Sequence, residues 1–302
     1  MMTSKQGWIN LYKPKNITSF KAIKIIKKVF HINKIGHAGT LDPMAEGILP
    51  IAIGKATKLI PYISCMNKEY DFTITWGSQT STDDAEGQIL FSSNNLPKKK
   101  DIEKKIINYF GYINQIPPKV SAVKINGRRA YKLSRDNVPF NMQPKKVFIE
   151  NLIISDHSTN KTSFKILCGK GFYVRSLARD LAIDLKTYGH ISYLKRSKVG
   201  KFNEKTSILL DDLLKIGQRH KEINCISSTI SMLDDILAYE IVDEKDLKDI
   251  SMGKTIKIDE KKLENISLTS TEEKDFFLSN NGDIVSIGKL NRNLFKPKKV
   301  LI

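Results

Sequence analysis

The chain has 302 residues and a formal charge of +18, from 50 lysines and arginines against 32 aspartates and glutamates. This length suits one large domain and a smaller one. No apolar run approaches the length that crosses a bilayer, and the N-terminus lacks the pattern of a secretory signal. Three widely spaced cysteines argue against a disulfide framework or a zinc site. We therefore expect a cytoplasmic protein that does not associate with membranes.

The basic excess is unevenly distributed along the chain. Residues 239–302 contain 12 basic and 12 acidic side chains, so the whole surplus lies before residue 239. A lysine-rich genome would spread the surplus more evenly, whereas a surface that binds a polyanion concentrates it. The charge pattern favours a nucleic acid as the partner, ahead of a membrane surface or a compositional bias.

The first predicted elements are a short strand over residues 7–12 and a helix capped by Thr18 or Ser19. Four residues are spaced to form the apolar face of that helix: Phe20, Ile23, Ile26 and Phe30. Three lysines fall on the opposite face: Lys21, Lys24 and Lys28. Such a stripe suits either contact with a phosphate backbone or simple exposure to solvent.

The middle of the chain mixes predicted helices and strands without a regular alternation. The predicted elements are a helix near 55–63, a strand over 68–76, a polar loop over 77–87, a helix from Asp101, a turn at Asn126-Gly127, strands within 146–168, a helix over about 173–187 and a strand from His190. A linker near 217–235 precedes a charge-balanced end with short strand-like runs and no long helix. This order favours an α+β fold over a doubly wound one.

Asp42 is the most unusual acid in the chain, because it lies in the glycine-flanked turn GHAGTLDPMAEGILP, directly before an apolar run. An Asp-Pro pair alone is typical of an ordinary turn. Here Pro43 restricts the backbone of Asp42 and presents its carboxylate rigidly. A shielded carboxylate needs a cation to stay ionised. Arg175, in the predicted first turn of a helix after a Gly-Lys-Gly sequence, is the best candidate.

Five segments, spread over about residues 7–215, together resemble the bacterial tRNA pseudouridine synthases of the TruB type: GHAGTLDPMAEGILPIAIGKATKL, KEYDFTITWGSQTSTDDAEGQI, QIPPKVSAVKINGRRAYKLSR, GKGFYVRSLARDLA and HISYLKRSKVGKF. The resemblance implies a pseudouridine-synthase fold for residues 1–235, with a central mixed, mainly antiparallel sheet flanked by helices. It also implies a small β-rich, PUA-like RNA-binding module in residues 236–302.

The family implies that the enzyme converts uridine 55 in the T-loop of tRNA to pseudouridine after flipping the base out of the stack. Asp42 matches the catalytic aspartate, Arg175 the arginine that pairs with it, and Tyr70 the tyrosine that packs against the base and is a candidate for moving the C5 proton. Four further residues match positions near the bound uridine: His37, which fills the space that the base leaves, Tyr173 and Leu194, which line the pocket, and Lys13.

The resemblance implies tRNA, through its T-arm, as the partner of a monomer that needs no protein partner, no cofactor and no metal. Consistent with this, the five histidines have no metal-binding spacing and no nucleotide-binding glycine motif is present. Two alternatives stay open at this stage. One is a non-catalytic RNA-binding or ribosome-associated protein with Asp42 as a structural turn, and the other is a tRNA-folding chaperone with catalysis as a side activity.

Overall fold

The computed structural model describes residues 6–218, 225–230, 232–233, 238–241, 243–259, 263, 274–281 and 283–302. The strands in chain order are β1 (Gly7–Lys13), β2 (Ile35–His37), β3 (Glu46–Ile53), β4 (Lys68–Trp76), β5 (Ser78–Thr80), β6 (Ile89–Ser92), β7 (Gly111–Gln115), β8 (Lys124–Ile125), β9 (Arg128–Arg129), β10 (Lys145–Ser158), β11 (Lys161–Cys168), β12 (Gly189–Val199), β13 (Phe202–Asn203), β14 (Ile208–Leu209), β15 (Ala238–Glu240), β16 (Ile256–Lys257), β17 (Lys274–Asn280), β18 (Asp283–Asn291) and β19 (Leu294–Val300). The helices are α1 (Ser19–Val29), α2 (Ile60–Cys65), α3 (Lys99–Ile106), α4 (Ala130–Arg135), α5 (Val174–Asp184), α6 (Leu210–Gln218) and α7 (Glu244–Ser251).

A ten-stranded sheet organises the first two thirds of the chain. Its order is β14-β1-β3-β12-β4-β11-β10-β7, with β2 paired to β3 and β13 paired to β12. The β1–β14 and β3–β12 pairs are parallel and the other pairs of this sheet are antiparallel. The predicted α+β class, with a mixed and mainly antiparallel central sheet, is confirmed.

A short parallel pairing of β3 with β12 in the centre of the sheet positions the functional region. Strand β3 follows the Asp42 turn, and β12 joins β3 to β4, so elements far apart in sequence meet there. One face of the sheet packs against α1, α3, α5 and α6 through a continuous apolar core. In α5 the stripe of Val174, Leu177 and Leu181 is buried, as its spacing predicts.

Helix α1 begins where the sequence predicts, with the Thr18 side chain accepting a hydrogen bond from the Lys21 amide. The predicted apolar face is wrong at Phe20, which is 74% exposed. Ser19 takes the inward position instead, because its hydroxyl bonds to the Asp42 turn, and Ala22 and Ile26 continue the buried face.

Several local predictions need smaller corrections. The helix near 55–63 is a 3₁₀ segment over Gly54–Leu59 followed by α2. The polar loop over 77–87 contains β5, which pairs with β6 in a hairpin. Asn126 and Gly127 both have positive φ, 48° and 81°, and join β8 to β9 as the Asn-Gly signal predicts.

The C-terminal part forms a five-stranded sheet of order β15-β17-β18-β19-β16, with α7 beside it. The predicted run SLTS lies outside the described residues. A second apolar cluster joins this module to the large sheet, with Trp8 and Ile48 on one side and Phe277, Ile287 and Leu301 on the other. The boundary between the two domains at residue 235 stays a prediction. Among the described helices, none has the length and apolar character of a membrane span.

Candidate active site

The Asp42 turn, residues 38–45, connects the antiparallel strands β2 and β3 and is held by hydrogen bonds along its length. The Ser19 hydroxyl donates to the Leu41 carbonyl and accepts from the Leu41 amide, both at 2.9 Å. The Asn16 amide donates to the Pro43 carbonyl at 2.8 Å. The residues on both sides of Asp42 are therefore fixed, and the carboxylate keeps one orientation.

Arg175, in the first turn of α5, forms a bidentate pair with Asp42. Its Nε lies 2.9 Å from Asp42 Oδ2 and its Nη2 lies 3.1 Å from Asp42 Oδ1. The Arg175 side chain is 5% exposed and that of Asp42 is 31% exposed. The guanidinium is thus enclosed, while the carboxylate that it holds opens to the adjacent cavity and stays accessible.

Asp84 is a second carboxylate beside the same guanidinium, and the sequence reasoning missed it. Its Oδ2 lies 3.5 Å from Arg175 Nε, and its side chain is 3% exposed. The Thr82 hydroxyl and the Glu86 amide both donate to Asp84 Oδ1, at 2.6 and 3.0 Å. Two adjacent aspartates in the loop over 77–87 were the available signal, but sequence alone does not distinguish Asp84 from Asp83.

Two backbone carbonyls complete the enclosure of Arg175. Its Nη1 donates to the Thr82 carbonyl at 2.9 Å and its Nη2 donates to the Val120 carbonyl at 3.1 Å. One turn further along α5, Arg179 pairs separately with Asp83, at 3.3 Å. The helix therefore presents two arginines to two neighbouring acids, and only Arg175 reaches Asp42.

A cavity of about 270 Å³ opens beside Asp42. Four predicted site residues line it together with Asp42: Tyr70, Tyr173, Arg175 and Leu194. Two cations that the sequence reasoning did not single out, Lys68 and Arg196, also line it. The structure thus brings together the Asp42 turn, β4, α5 and β12 around one space of a size suited to a nucleobase.

Burial changes the acidity of groups around this cavity. Burial raises the pKa of Tyr70, and the neighbouring Arg196 guanidinium opposes that rise. Burial also raises the pKa of Tyr173, and the charge of Asp42 adds to the effect. Both phenols are therefore neutral at physiological pH, and Tyr70 lies in the more positive surroundings.

The two other predicted substrate-binding residues do not line the cavity. The Lys13 ammonium is buried and donates to the Pro14 and Ile17 carbonyls, both at 2.8 Å, and burial lowers its pKa to about 8. His37 lies at the end of β2, where burial and then the charge of Arg196 lower its pKa. His37 is accordingly a neutral ring beside the Asp42 turn, and its buried Nδ1 has no hydrogen-bond partner among the described residues.

A basic segment, residues 119–135, lies at the cavity entrance. Ser121 and Ala122 of this segment line the cavity. Six cations follow one another along it: Lys119, Lys124, Arg128, Arg129, Lys132 and Arg135. Positive charge at the entrance suits a polyanionic substrate whose reacting group enters the cavity.

The fold has close neighbours among solved structures. A chain in the crystal structure of a Cbf5–Nop10–Gar1 complex superposes with a TM-score of 0.73 at 21% identity, covering 98% of this chain and 85% of that one. This likeness shows the fold, and in this chain the paired Asp42 and Arg175 border a cavity of a size suited to a nucleobase.

The sequence comparisons are more specific. Residues 27–174 match the TruB family pseudouridylate synthase N-terminal domain, and residues 175–238 match the tRNA pseudouridylate synthase B C-terminal domain. The tRNA pseudouridine synthase B of Ehrlichia ruminantium is 38% identical over 97% of this chain and 98% of its own length. That of Wolbachia pipientis is 50% identical over 73% of this chain, and the match spans 63% of its length. This chain belongs to the TruB family of pseudouridylate synthases.

Proposed function

We propose that this enzyme isomerises uridine to pseudouridine at position 55 in the T-loop of tRNA, acting as a monomer in the cytoplasm. The relatives carry the name tRNA pseudouridine synthase B, which supports tRNA as the substrate. The basic segment over 119–135 supports binding of the T-arm through phosphates and shape. The family membership favours this enzyme over a non-catalytic RNA-binding protein.

The observation that carries the proposal is the bidentate Asp42–Arg175 pair at the edge of a largely enclosed cavity. A uridine flipped out of the stack, at a cost of about a few kcal/mol, places its base in this cavity. Tyr70 and Leu194 then contact the base on its two sides, and Tyr173 contacts it near Asp42. The Asp42 carboxylate contacts the sugar or the base.

Asp42 is the group that breaks the bond between N1 and C1′ in this proposal. It either bonds to the nucleoside or takes the 2′ proton. The uracil then rotates within the cavity and rejoins C1′ through C5, as Asp42 leaves the nucleoside or returns the 2′ proton. Loss of the C5 proton and gain of a proton at N1 complete the isomerisation. Every bond that changes lies within one nucleotide, so the net reaction needs no energy source.

We propose supporting roles for the remaining predicted residues. The neutral ring of His37 fills the space in the RNA that the flipped base leaves. The Lys13 ammonium also lies 3.4 Å from the Pro43 carbonyl, so it supports the uridine site by fixing the residue after Asp42. Residues 236–302 provide a PUA-like surface for RNA outside the T-loop.

The position within tRNA is tested with transcripts that carry tritium at C5 of every uridine. A full transcript is expected to release tritium equivalent to one uridine, because the C5 proton is lost during isomerisation. A matched transcript with cytidine at position 55 is expected to release none. Equal release from both transcripts would contradict the assignment of position 55.

A further inference from the structure

Two cations that line the cavity, Lys68 and Arg196, are buried without a carboxylate partner. Lys68 is 7% exposed and Arg196 is 1% exposed. In the part of the chain that the structure describes, no carboxylate oxygen lies within the 4.0 Å ion-pair distance of either group. Arg175 differs, because Asp42 and Asp84 both contact it.

Only uncharged oxygens compensate these two cations. The Lys68 ammonium donates to the Ser64 carbonyl at 2.9 Å and to the Met66 carbonyl. The Arg196 Nε donates to the Ile48 carbonyl at 2.8 Å, and its Nη2 to the Gly39 carbonyl at 3.0 Å. Carbonyl dipoles reduce the cost of burying a charge without cancelling the charge itself. This side of the cavity therefore keeps a positive potential.

The position of the two cations indicates which part of the RNA they meet. Lys68 lies on β4 and Arg196 on β12, so both belong to the sheet that forms the floor of the cavity. The exposed lining residues Ala122 and Gly171 lie in loops, so the cavity opens on their side. A flipped nucleotide stays attached to the RNA through its phosphates, so its base reaches the floor and its phosphates stay near the entrance.

The reaction places a negative charge on that base. When the bond between N1 and C1′ breaks, its electron pair stays on N1 and spreads to O2 and O4 of the uracil. The sugar loses its positive character when Asp42 bonds to C1′ or takes the 2′ proton. When C5 bonds to C1′ the same pair forms the new bond, so electrons are neither gained nor lost overall.

We infer that Lys68 and Arg196 stabilise the detached uracil anion through the positive potential that they create at the floor of the cavity. This inference rests on the proposed function and adds the route, a dissociated uracil anion. Preorganised charge in an enclosed site is effective because it needs no reorganisation when the bond breaks. Neutral uridine gains less from this potential than the anion does, which lowers the barrier to bond cleavage.

A purely structural role for Lys68 is the competing explanation. Lys68 contacts carbonyls at the end of α2, and a neutral donor would satisfy them equally well. Burial, and then the charge of Arg196, lower the pKa of Lys68 to about 8. The protein thus retains a cation that destabilises the fold and faces the reacting base, which is characteristic of a functional group.

The test compares Lys68→Met with Lys68→Arg on tRNA transcripts containing uridine or 5-fluorouridine, under single turnover at saturating enzyme. Mass spectrometry follows the loss of the N1-linked nucleoside. Lys68→Met is expected to slow the uridine substrate by about tenfold or more. The 5-fluoro substrate should be slowed much less, because fluorine itself stabilises the uracil anion. Lys68→Arg should restore most of the rate.

Lys170→Met is the matched control, since Lys170 is an exposed lysine beside Cys65 just outside the cavity. It should leave both saturated rates unchanged. Equal slowing of the two substrates by Lys68→Met would show a structural role and overturn the inference. Weaker tRNA binding with an unchanged saturated rate would show that Lys68 contacts an RNA phosphate instead of the base, which would also overturn the inference. The activity of Asp42→Asn tests the proposed function separately. That result is independent of the comparison of uridine and 5-fluorouridine rates in the Lys68 variants.

A pH profile provides a test that does not need a neutral variant to fold. The titratable and charged groups that face Lys68 are Arg196 on β12, Cys168 on β11, Lys170 in the turn after β11 and Cys65 at the end of α2. The single-turnover rate of the unaltered enzyme should fall as pH rises above about 8, when Lys68 loses its proton. Lys68→Arg should keep its rate to higher pH. Parallel profiles would overturn the inference.

Discussion

The two sides of the cavity hold their cations in opposite ways. At the Asp42 side, Arg175 is matched by two carboxylates and two carbonyls. At the floor, Lys68 donates to carbonyls and Arg196 contacts carbonyls and the Tyr70 phenol, with no carboxylate among the described partners. The first arrangement is complete before substrate binds and fixes a charged acid. The second is complementary to negative charge that arises only during the reaction. One cavity therefore combines a balanced charge that positions the acid with an unbalanced charge that stabilises the anion.

Removing the balanced cation should have the largest effect. Arg175→Met leaves Asp42 and Asp84 facing each other without a partner, so we expect a loss of about 3–5 kcal/mol in the free energy of unfolding. The saturated rate should fall by about 10³-fold or more, because Asp42 loses the two hydrogen bonds that orient its carboxylate. Denaturant unfolding and single-turnover tritium release measure the two losses.

Arg179→Met is the matched control for this change. Arg179 is one turn away on α5 and pairs with Asp83, outside the cavity lining. Its loss should reduce the rate far less than the loss of Arg175. Comparable losses of rate in the two variants would show that both arginines support the fold of α5. They would contradict a specific role of Arg175 in holding Asp42.

Asp84→Asn separates the two carboxylates that share Arg175. The amide keeps an oxygen for the Thr82 hydroxyl and the Glu86 amide but removes the second negative charge beside the Arg175 Nε. We expect the saturated rate to fall by up to about 10²-fold through misorientation of Asp42. tRNA affinity should stay nearly constant. A larger loss in the neighbouring Asp83→Asn would contradict the assignment of Asp84.

The smallest expected effect concerns two buried lysines, Lys13 and Lys68, and the change of the free energy of unfolding with pH. Lys13 and Lys68 both have a pKa of about 8, below the usual value of 10.5. Between these values the unfolded chain binds more protons, so stability rises with pH. Each lysine should add about 1–2 kcal/mol to the free energy of unfolding between pH 8 and 9.5. Lys68→Met should remove about half of this rise, and an unchanged slope would show that Lys68 is not a strained cation.

The parts of the site that local sequence encodes were predicted well. Pro43 and the flanking glycines indicate a rigidly presented Asp42, and the apolar spacing of α5 places Arg175 at the start of a helix. Their contact joins residues 133 positions apart. The need of a shielded carboxylate for a cation made Arg175 a candidate, and the family resemblance implied the same pair. The geometry agrees with that suggestion.

Other features depend on tertiary contacts that no local pattern contains. Phe20 has the spacing of a buried residue, yet the hydrogen bonds of Ser19 to Leu41 rotate it outward. Arg196 lies in a basic strand whose lysines face solvent or acids, and its burial follows from the approach of β3 and the Asp42 turn. A sequence pattern shows that a lysine or arginine is present but not whether a carboxylate will reach it.

The most direct measurement replaces Asp42 by asparagine and determines tRNA affinity and tritium release from C5-labelled uridine in the same preparation. We expect tRNA to bind with nearly unchanged affinity, because the basic segment over 119–135 is intact, while tritium release falls below detection. Persistent release from a correctly folded Asp42→Asn enzyme would contradict the role of this carboxylate in exchanging the glycosidic bond.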